Sequence, residues 1–381
     1  MSKLKLKSTK AGTIYIRKRG IPKGCQYCLE GAKTVLFLNG ICQNPQHCWW
    51  YCPISKERKG KEYTFADEIQ IDSKEELIDE INKIHAKGMS ITGGDPLFPS
   101  NFQKTLEYIQ YVKWKKGKDF HVHLYTNGEN FNEIIAQELS QVGLDEIRFN
   151  PSFNNWKVIK FALNKGMSVG VEIPVIPEKE YLEKLEELIL YCDSIGADFV
   201  NLNEFEICFP NSARLKDKGF NLEQGTIASV ERSKDEAIDL IERVSPKVSI
   251  KIHFCSIIAK DFWQLKERYY RRAKSIKFPY EYVNEEGLLM FGQIEGSAQS
   301  LEEFYRFIQT ENRIPDAFIE FKNNTIKLPL NIIVNDKFIE YLNKFELKGY
   351  IIEMTPFRES QYCQITEKTP ITIFKEEYEF D

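Results

Sequence analysis

No stretch of the 381-residue sequence approaches the ~18 unbroken apolar residues that cross a bilayer, so a membrane span is not expected. The first twenty or so residues lack the apolar core of a secretory signal, and the chain is therefore expected to be cytoplasmic. Net positive charge is missing too. The 56 acidic residues outnumber 52 basic ones and leave −4, which argues against a protein held on nucleic acid by bulk charge. No internal repeat and no low-complexity tract is visible, which sets aside solenoids, propellers and collagen-like chains. What is present is 42% hydrophobic residues with 21 Gly and 15 Pro, enough apolar surface for one large α/β domain and a smaller one. The nine cysteines are an odd number in a compartment that keeps thiols reduced, so metal ligation or redox chemistry is a better first reading than a disulfide framework.

Strand and helix signals alternate. Thr34 to Leu38 is a continuous apolar run, as in a buried parallel strand. Ser73 and Glu76 fit a capping box that opens a helix running to Gly88. Strand Met89 to Thr92 follows, then a helix from about Asn101 with apolar Leu106, Ile109 and Val112. Next come strand Val122 to Tyr125, helix Ile134 to Val142, strand Glu146 to Phe149 and helix Trp156 to Leu163. Strand Ser168 to Ile173, helix Tyr181 to Tyr191 and strand Phe199 to Leu202 complete the series. Six strands with five intervening helices predict parallel βαβ crossovers, in an open doubly wound sheet or a full or partial barrel. Ligands then collect at the carboxyl ends of the strands. Helix Asp235 to Val244 and a candidate seventh strand, Val248 to Phe254, come after a polar stretch. From about residue 276 the periodicity changes, with strand-like runs Leu288 to Phe291, Thr325 to Leu328 and Ile371 to Phe374. The expected division is an N-terminal extension at 1–32 with a CxxC pair, an α/β body at 33–275 and an α+β domain at 276–381.

The densest chemistry is the loop after the first strand, where Cys42, Cys48 and Cys52 lie among aromatics. Soft thiolates suit a metal or an iron–sulfur cluster. Four protein ligands would saturate a cubane cluster, and three would leave one iron open. A zinc site is the rival: Cys25 and Cys28 with Cys48 and Cys52 resemble a ribbon of two cysteine pairs. Against it, an apolar strand separates the pairs. The next strand ends in Thr92-Gly93-Gly94-Asp95, where two glycines would let a ligand approach the main chain. Thr126 and Asn127, Asn150 and Ser152, Glu172, Asn201, Asn203 and Glu204 stand in or just after later strands. Such groups are costly to bury without partners and are expected to face a polar cavity, with turn or cap roles as the bland account of each.

A strand, a three-cysteine loop with an aromatic directly before its last cysteine (Tyr51-Cys52), and alternating β and α units resemble the radical S-adenosylmethionine (radical SAM) enzymes. Within them the likeness is to the archaeal group related to pyruvate formate-lyase activating enzymes, over roughly residues 20–275. The resemblance implies a partial (β/α)6-type barrel with a small C-terminal α+β appendage. It also implies a [4Fe–4S] cluster on Cys42, Cys48 and Cys52, whose open iron is chelated by the amino and carboxylate groups of SAM. Tyr51 would contact adenine. Thr92, Gly93, Gly94 and Asp95 match the family's GGE-type motif for the SAM amine, with Asp in place of Glu, and Thr126-Asn127 matches its common strand-three ending. Asn150, Glu172, Asn203 and Glu204 would serve the ribose, the SAM carboxylate or the substrate. The spacing departs from the usual C-x3-C-x2-C, being C-x5-C-x3-C.

The implied activity is reductive cleavage of SAM to a 5′-deoxyadenosyl radical that takes hydrogen from a substrate. Electrons would come from a flavodoxin- or ferredoxin-type donor, and a laterally open barrel would suit a protein or RNA target. His47 either tunes the cluster or lies on the surface. Were the barrel to close, Cys25, Cys28 and Cys255 could form a second metal site, for zinc or an auxiliary iron–sulfur cluster, with His253 or Cys363 as fourth ligand. The competing class is a non-catalytic zinc-binding module that contacts RNA through the basic, aromatic segments 113–118 and 266–274, although such runs are more often solvated helix faces.

Overall fold

Apolar runs and amphipathic segments build a first unit that extends to Leu265 and a second from Lys266 onward. The structure, a computed structural model, describes residues 5–311 and 314–378. In chain order the first unit has β1 (Leu6–Ser8), β2 (Ile14–Ile16), α1 (Lys23–Leu29), β3 (Lys33–Phe37), β4 (Thr64–Ala66) and β5 (Ile69–Ile71). Then come α2 (Lys74–Lys83), β6 (Gly88–Thr92), α3 (Pro99–Lys116), β7 (His121–Thr126), α4 (Glu133–Gln141) and β8 (Glu146–Phe149). They are followed by β9 (Ser168–Val175), α5 (Lys179–Ser194), β10 (Phe199–Glu204), α6 (Ser212–Asp217), α7 (Ser233–Val244) and β11 (Lys251–Cys255).

These strands form one sheet in the order β1-β2-β11-β10-β9-β8-β7-β6-β3-β4-β5. From β3 through β6, β7, β8, β9 and β10 to β11, neighbours are parallel and follow chain order. That is barrel order; a doubly wound sheet would reverse at a switch point. The path does not close among the described residues, because β4 lies antiparallel on the edge of β3 and β2 antiparallel on the edge of β11. The expected partial barrel is therefore present, with β11 as a further parallel strand.

The two faces of the sheet differ. On the outer face Leu36, Ile91, Leu124, Ile147, Val171 and Leu202 join apolar residues of α2, α3, α4, α5 and α7 in one buried core. The inner face carries Lys33, Ser90, Tyr125, Arg148, Glu172 and Asn203, the alternate positions of the same strands. Helix α1 sits against this inner face: the Tyr27 ring meets His121 edge-on at 5.8 Å, and Gly24 N–H donates to Glu146 Oε2 at 3.3 Å.

Some local expectations shift. The Ser73–Glu76 capping box is formed, but α2 ends at Lys83 and Gly88 opens β6 instead of ending the helix. Residues 156–162 are a 3-10 helix, and the polar stretch after β10 includes α6.

After α8 (Gln264–Ile276), the second unit contains β12 (Tyr282–Val283), β13 (Leu289–Glu295), α9 (Ala298–Thr310), β14 (Glu320–Lys322) and β15 (Thr325–Leu328). It continues through α10 (Leu330–Ile333), α11 (Asp336–Lys344), β16 (Lys348–Met354), β17 (Ile365–Pro370) and α12 (Ile371–Tyr378). Its sheet is antiparallel, β14-β15-β13-β16-β17, with β12 also on β13. Ile371 to Phe374, expected as strand, begins α12, because Ile371 and Phe374 are both buried at a helical three-residue spacing. Arg268 and Arg272 are buried, and Arg272 Nε donates to Pro356 O at 2.7 Å with its guanidinium 4.4 Å from the Phe357 ring. The second basic segment therefore spends two of its cations inside the protein. In the first segment Lys113 is tied to Asp145 at 2.6 Å. Neither segment supports the RNA-contacting reading. No helix among the described residues is long and apolar enough to cross a membrane.

Candidate functional site

The cysteine loop is pinned at its neck. Gly40 N–H donates to Lys61 O at 2.7 Å and Gly60 N–H donates to Gly40 O at 2.9 Å, so the excursion leaves and re-enters the fold at one place. Its first residues are fixed by two buried asparagines. Asn39 Nδ2 donates to Asn101 Oδ1 (2.7 Å) and Ile41 N–H donates to Asn39 Oδ1 (3.0 Å). Asn101 Nδ2 in turn donates to Ile41 O (3.1 Å) and Asp95 O (2.8 Å). Sequence reading missed both asparagines, since nothing in a lone Asn announces that it is buried.

A Cβ on Gly94 would lie 2.0 Å from Ile41 O, and one on Gly93, whose φ is +136°, 2.4 Å from Asn39 O. The space left by the missing side chains is thus filled first by the backbone leading into the cysteine loop, not by a ligand as expected. Farther along, Trp50 stacks on Phe220 at 5.9 Å and meets Phe205 edge-on, and Asn211 Nδ2 donates to Tyr51 O at 3.0 Å.

Above the inner face lies a cavity of about 800 Å³, within the ~300–1,000 Å³ of small-molecule sites. Cys42, Cys48 and Cys52 open onto it, as do Tyr51, Thr92, Gly93, Gly94, Thr126, Asn127, Asn150, Glu172 and Asn203. Cys42 Sγ accepts from Asn44 N–H at 3.3 Å and from Asn127 Nδ2 at 3.6 Å. Tyr51 Oη accepts from Asn150 Nδ2 at 3.1 Å, while His47 Nε2 lies 2.9 Å from Asn150 O.

Two expected acids, Asp95 and Glu204, are not on the cavity wall. The buried Asp95 carboxylate accepts from Leu97 N–H (2.8 Å), Thr126 Oγ1 (3.1 Å) and Asn127 N–H (3.1 Å), which ties the end of β6 to the end of β7. Burial raises its pKa to about 6 against those hydrogen bonds. Glu204 accepts from Ile257 N–H at 2.8 Å and is buried next to the Asn203 that faces the cavity. Ser152 and Asn201 are also absent from the wall, Asn201 being hydrogen-bonded to His253 and Asn203.

The donor set fits an iron–sulfur cluster. Burial pushes up the Cys42 and Cys48 thiols, the latter to about 12, and neighbouring cysteines of the triad add to both. Thiols that oppose one another's ionisation around one cavity are costly without a cationic centre. Among the described residues no three His, Cys, Asp or Glu side chains are grouped to hold a single metal ion. A cubane does not ask for that, because each thiolate binds a different iron.

The same observation bears on the second metal site. Cys25, Cys28 and Cys255 are electrostatic neighbours, so the chain before β3 and the end of β11 do approach each other. Yet Cys25 Sγ is 3.4 Å from Arg148 Nη1, His253 Nδ1 is hydrogen-bonded to Asn201 Oδ1, and Cys363 packs in the second unit. A guanidinium beside a thiol competes with any metal cation there, and ligation of zinc is not supported.

At the cavity lies an ionic network in which Glu146 and Arg148, not flagged by the sequence, join the expected Glu172 and Asn203. Arg148 Nε donates to Glu146 Oε1 at 2.6 Å, its Nη2 pairs with the same carboxylate, and Nη1 donates to Glu172 Oε2 at 2.6 Å. Asn203 Nδ2 donates to Glu172 Oε1 at 3.2 Å. Burial would raise the pKa of Glu146, but Arg148 and then His121 outweigh it and hold the carboxyl down at about 2.

Comparison with known proteins follows this geometry. The profile of the Radical SAM superfamily matches residues 15–168. A protein of Methanocaldococcus jannaschii, provisionally named a glycyl-radical enzyme activating enzyme, is 35% identical over 354 residues, covering 88% of this chain and 90% of its own. The anaerobic ribonucleoside-triphosphate reductase-activating protein of Escherichia coli K12 is 28% identical over 130 residues, 32% of this chain and 75% of that protein. Among solved structures, SuiB of Streptococcus suis bound to S-adenosylmethionine aligns with a TM-score of 0.40 at 12% identity, over 59% of this chain and 50% of that one.

Proposed function

The chain belongs to the radical SAM superfamily, and from that premise we propose that it activates a protein partner by removing a hydrogen atom from a polypeptide segment admitted to the inner cavity. Membership implies a [4Fe–4S] cluster and SAM, and Cys42, Cys48 and Cys52 are the residues proposed to hold the cluster. When bound, these groups supply reductive cleavage of SAM and a 5′-deoxyadenosyl radical that abstracts hydrogen.

The protein's own part is position and exclusion of water. Thr92, Gly93 and Gly94 are proposed to receive the methionyl end of SAM. Tyr51 and Asn150 would flank the adenosyl part, and Glu172 and Asn203 would receive hydroxyls or substrate. Asp95 is proposed to hold the ends of β6 and β7 together for that purpose, and Glu204 to fix the start of the segment after β11. The aromatic Trp50, Phe205 and Phe220 would keep solvent from the cysteine loop's flank.

The observation that carries the reading is the opening of three cysteines from one pinned loop onto the same cavity as polar groups at the ends of β6, β7, β8 and β10. A polypeptide target is supported by the 35% identity over most of the chain to a protein named for activating a glycyl-radical enzyme. Electrons are proposed to come from a flavodoxin- or ferredoxin-type donor.

Anaerobic purification, reconstitution and assay for 5′-deoxyadenosine with reductant test the proposal. The expected outcome is about four irons per chain, a paramagnetic signal on reduction and SAM cleavage, all abolished by Cys42→Ala, Cys48→Ala or Cys52→Ala. A colourless, iron-free protein after reconstitution would end it.

A further inference from the structure

We propose that Lys33 and Ser90, at the inner end of the cavity, form a substrate subsite for an uncharged amide carbonyl. The inference rests on the polypeptide reading above and specifies how such a segment is held. Lys33 pairs with Gly88 across β3 and β6, and Ser90, two residues on, pairs with Val35. Both side chains therefore rise from the same face of adjoining strands.

Lys33 is 6% exposed and Ser90 is fully buried, yet both line the cavity. Ser90 Oγ has no hydrogen-bond partner, and the Lys33 ammonium makes neither a hydrogen bond nor an ion pair with any described residue. Native interiors rarely leave such donors unmatched, so the cavity's occupant is the group expected to satisfy them.

Charge decides which group that is. Arg148 is ion-paired with both Glu146 and Glu172. Adding Lys33 gives two cations against two carboxylates on the inner face, already neutral as a set. A carboxylate ligand would introduce an uncompensated buried charge. A carbonyl oxygen adds none, and it can accept from both the Lys33 ammonium and the Ser90 hydroxyl, one of these being a charge-assisted bond. A peptide segment offers such oxygens at every residue.

A matched pair of probes tests this on the cluster-reconstituted, SAM-loaded enzyme: neutral N-acetylglycine N-methylamide against anionic N-acetylglycinate, titrated by saturation-transfer NMR. The neutral probe should bind, the anion at least tenfold more weakly, and Lys33→Met and Ser90→Ala should each weaken the neutral probe by roughly 5- to 30-fold. Ser90→Ala, which removes one unpartnered oxygen, carries the test alone if Lys33→Met loses its thermal unfolding transition. Equal or tighter binding of the anion, or unchanged affinity of the neutral probe in the variants, overturns the subsite. Failure of the wild-type enzyme to hold iron or cleave SAM overturns the underlying reading instead.

Discussion

Removing Arg148 is the most direct probe of the buried ionic network. Arg148→Met keeps much of the side-chain volume but leaves Glu146, 1% exposed, and Glu172 without their cation. In the intact protein the Glu146 carboxyl drops from its ordinary 4.5 to about 2, a difference worth roughly 3 kcal/mol at ~1.36 kcal/mol per pH unit. That agrees with the ~3–5 kcal/mol lost when one partner of a buried pair is deleted.

The pH dependence has a definite sign. A depressed carboxyl contributes stability that is fully present above its unfolded value near 4.5 and is lost as pH falls toward about 2. In the variant the Arg148 cation is gone, burial is opposed only by His121 and the Gly24 N–H, and the Glu146 pKa rises. The variant is then weakest at neutral pH and recovers on acidification as the carboxyl takes up a proton. The gap between the two proteins should thus be about 3 kcal/mol or more at pH 7.5 and should narrow toward pH 5.

Urea unfolding followed by tryptophan fluorescence measures it. All five tryptophans precede residue 266, so the signal reports the unit that holds the network. Glu146→Gln in the Arg148→Met background should recover part of the loss. A gap below about 1 kcal/mol at pH 7.5, or one that widens on acidification, would refute the argument.

Gly94→Ala should lower iron content to less than half without touching a ligand, because the new Cβ would sit 2.0 Å from Ile41 O and push the cysteine loop off its neck; iron assay after reconstitution checks this. Cys25→Ala/Cys28→Ala should leave zinc and iron content unchanged, since the Arg148 guanidinium lies 3.4 Å from Cys25 Sγ and competes with a metal cation there. Polyuridylate should not be retained at physiological salt, because Arg268 and Arg272 are buried and Lys113 is paired with Asp145; a filter-binding titration showing submicromolar affinity would contradict that. Arg272→Met should destabilise the second unit by about 2–4 kcal/mol, as it strands a buried acceptor and removes a cation from the Phe357 face, measurable by calorimetry.

What the sequence disclosed follows from the signals it contains. The strands were legible because β3 is largely an apolar run and β6, β7 and β8 carry apolar residues at alternate positions between turn residues, and α2 because its capping box is a local, one-turn pattern. The cysteine triad and the Thr92-Gly93-Gly94 turn were legible because spacing and residue type alone mark them. Asp95 and Glu204 were assigned to the cavity because a polar residue at a strand end has two destinations, ligand or neighbouring backbone, and sequence does not separate them. Here the amides of Leu97, Asn127 and Ile257 claim both carboxylates. The start of α12 looked like strand because four alternating residues are too few to tell a period of two from one of 3.6.

The least legible part is also the part that sets the chemistry available inside the sheet. A closed, fully apolar barrel core would be filled by branched side chains. In this chain Lys33, Glu146, Arg148 and Glu172 occupy inward positions, separated in sequence by tens of residues and joined only by the parallel register. Ion pairing joins Arg148 to both glutamates, while Ser90 Oγ and the Lys33 ammonium, beside the cavity, have no hydrogen-bond partner among the described residues. On the proposed subsite, a substrate enters past the cysteine loop and down the inner face toward β3, where the net negative charge of the Glu146–Arg148–Glu172 network is balanced by Lys33.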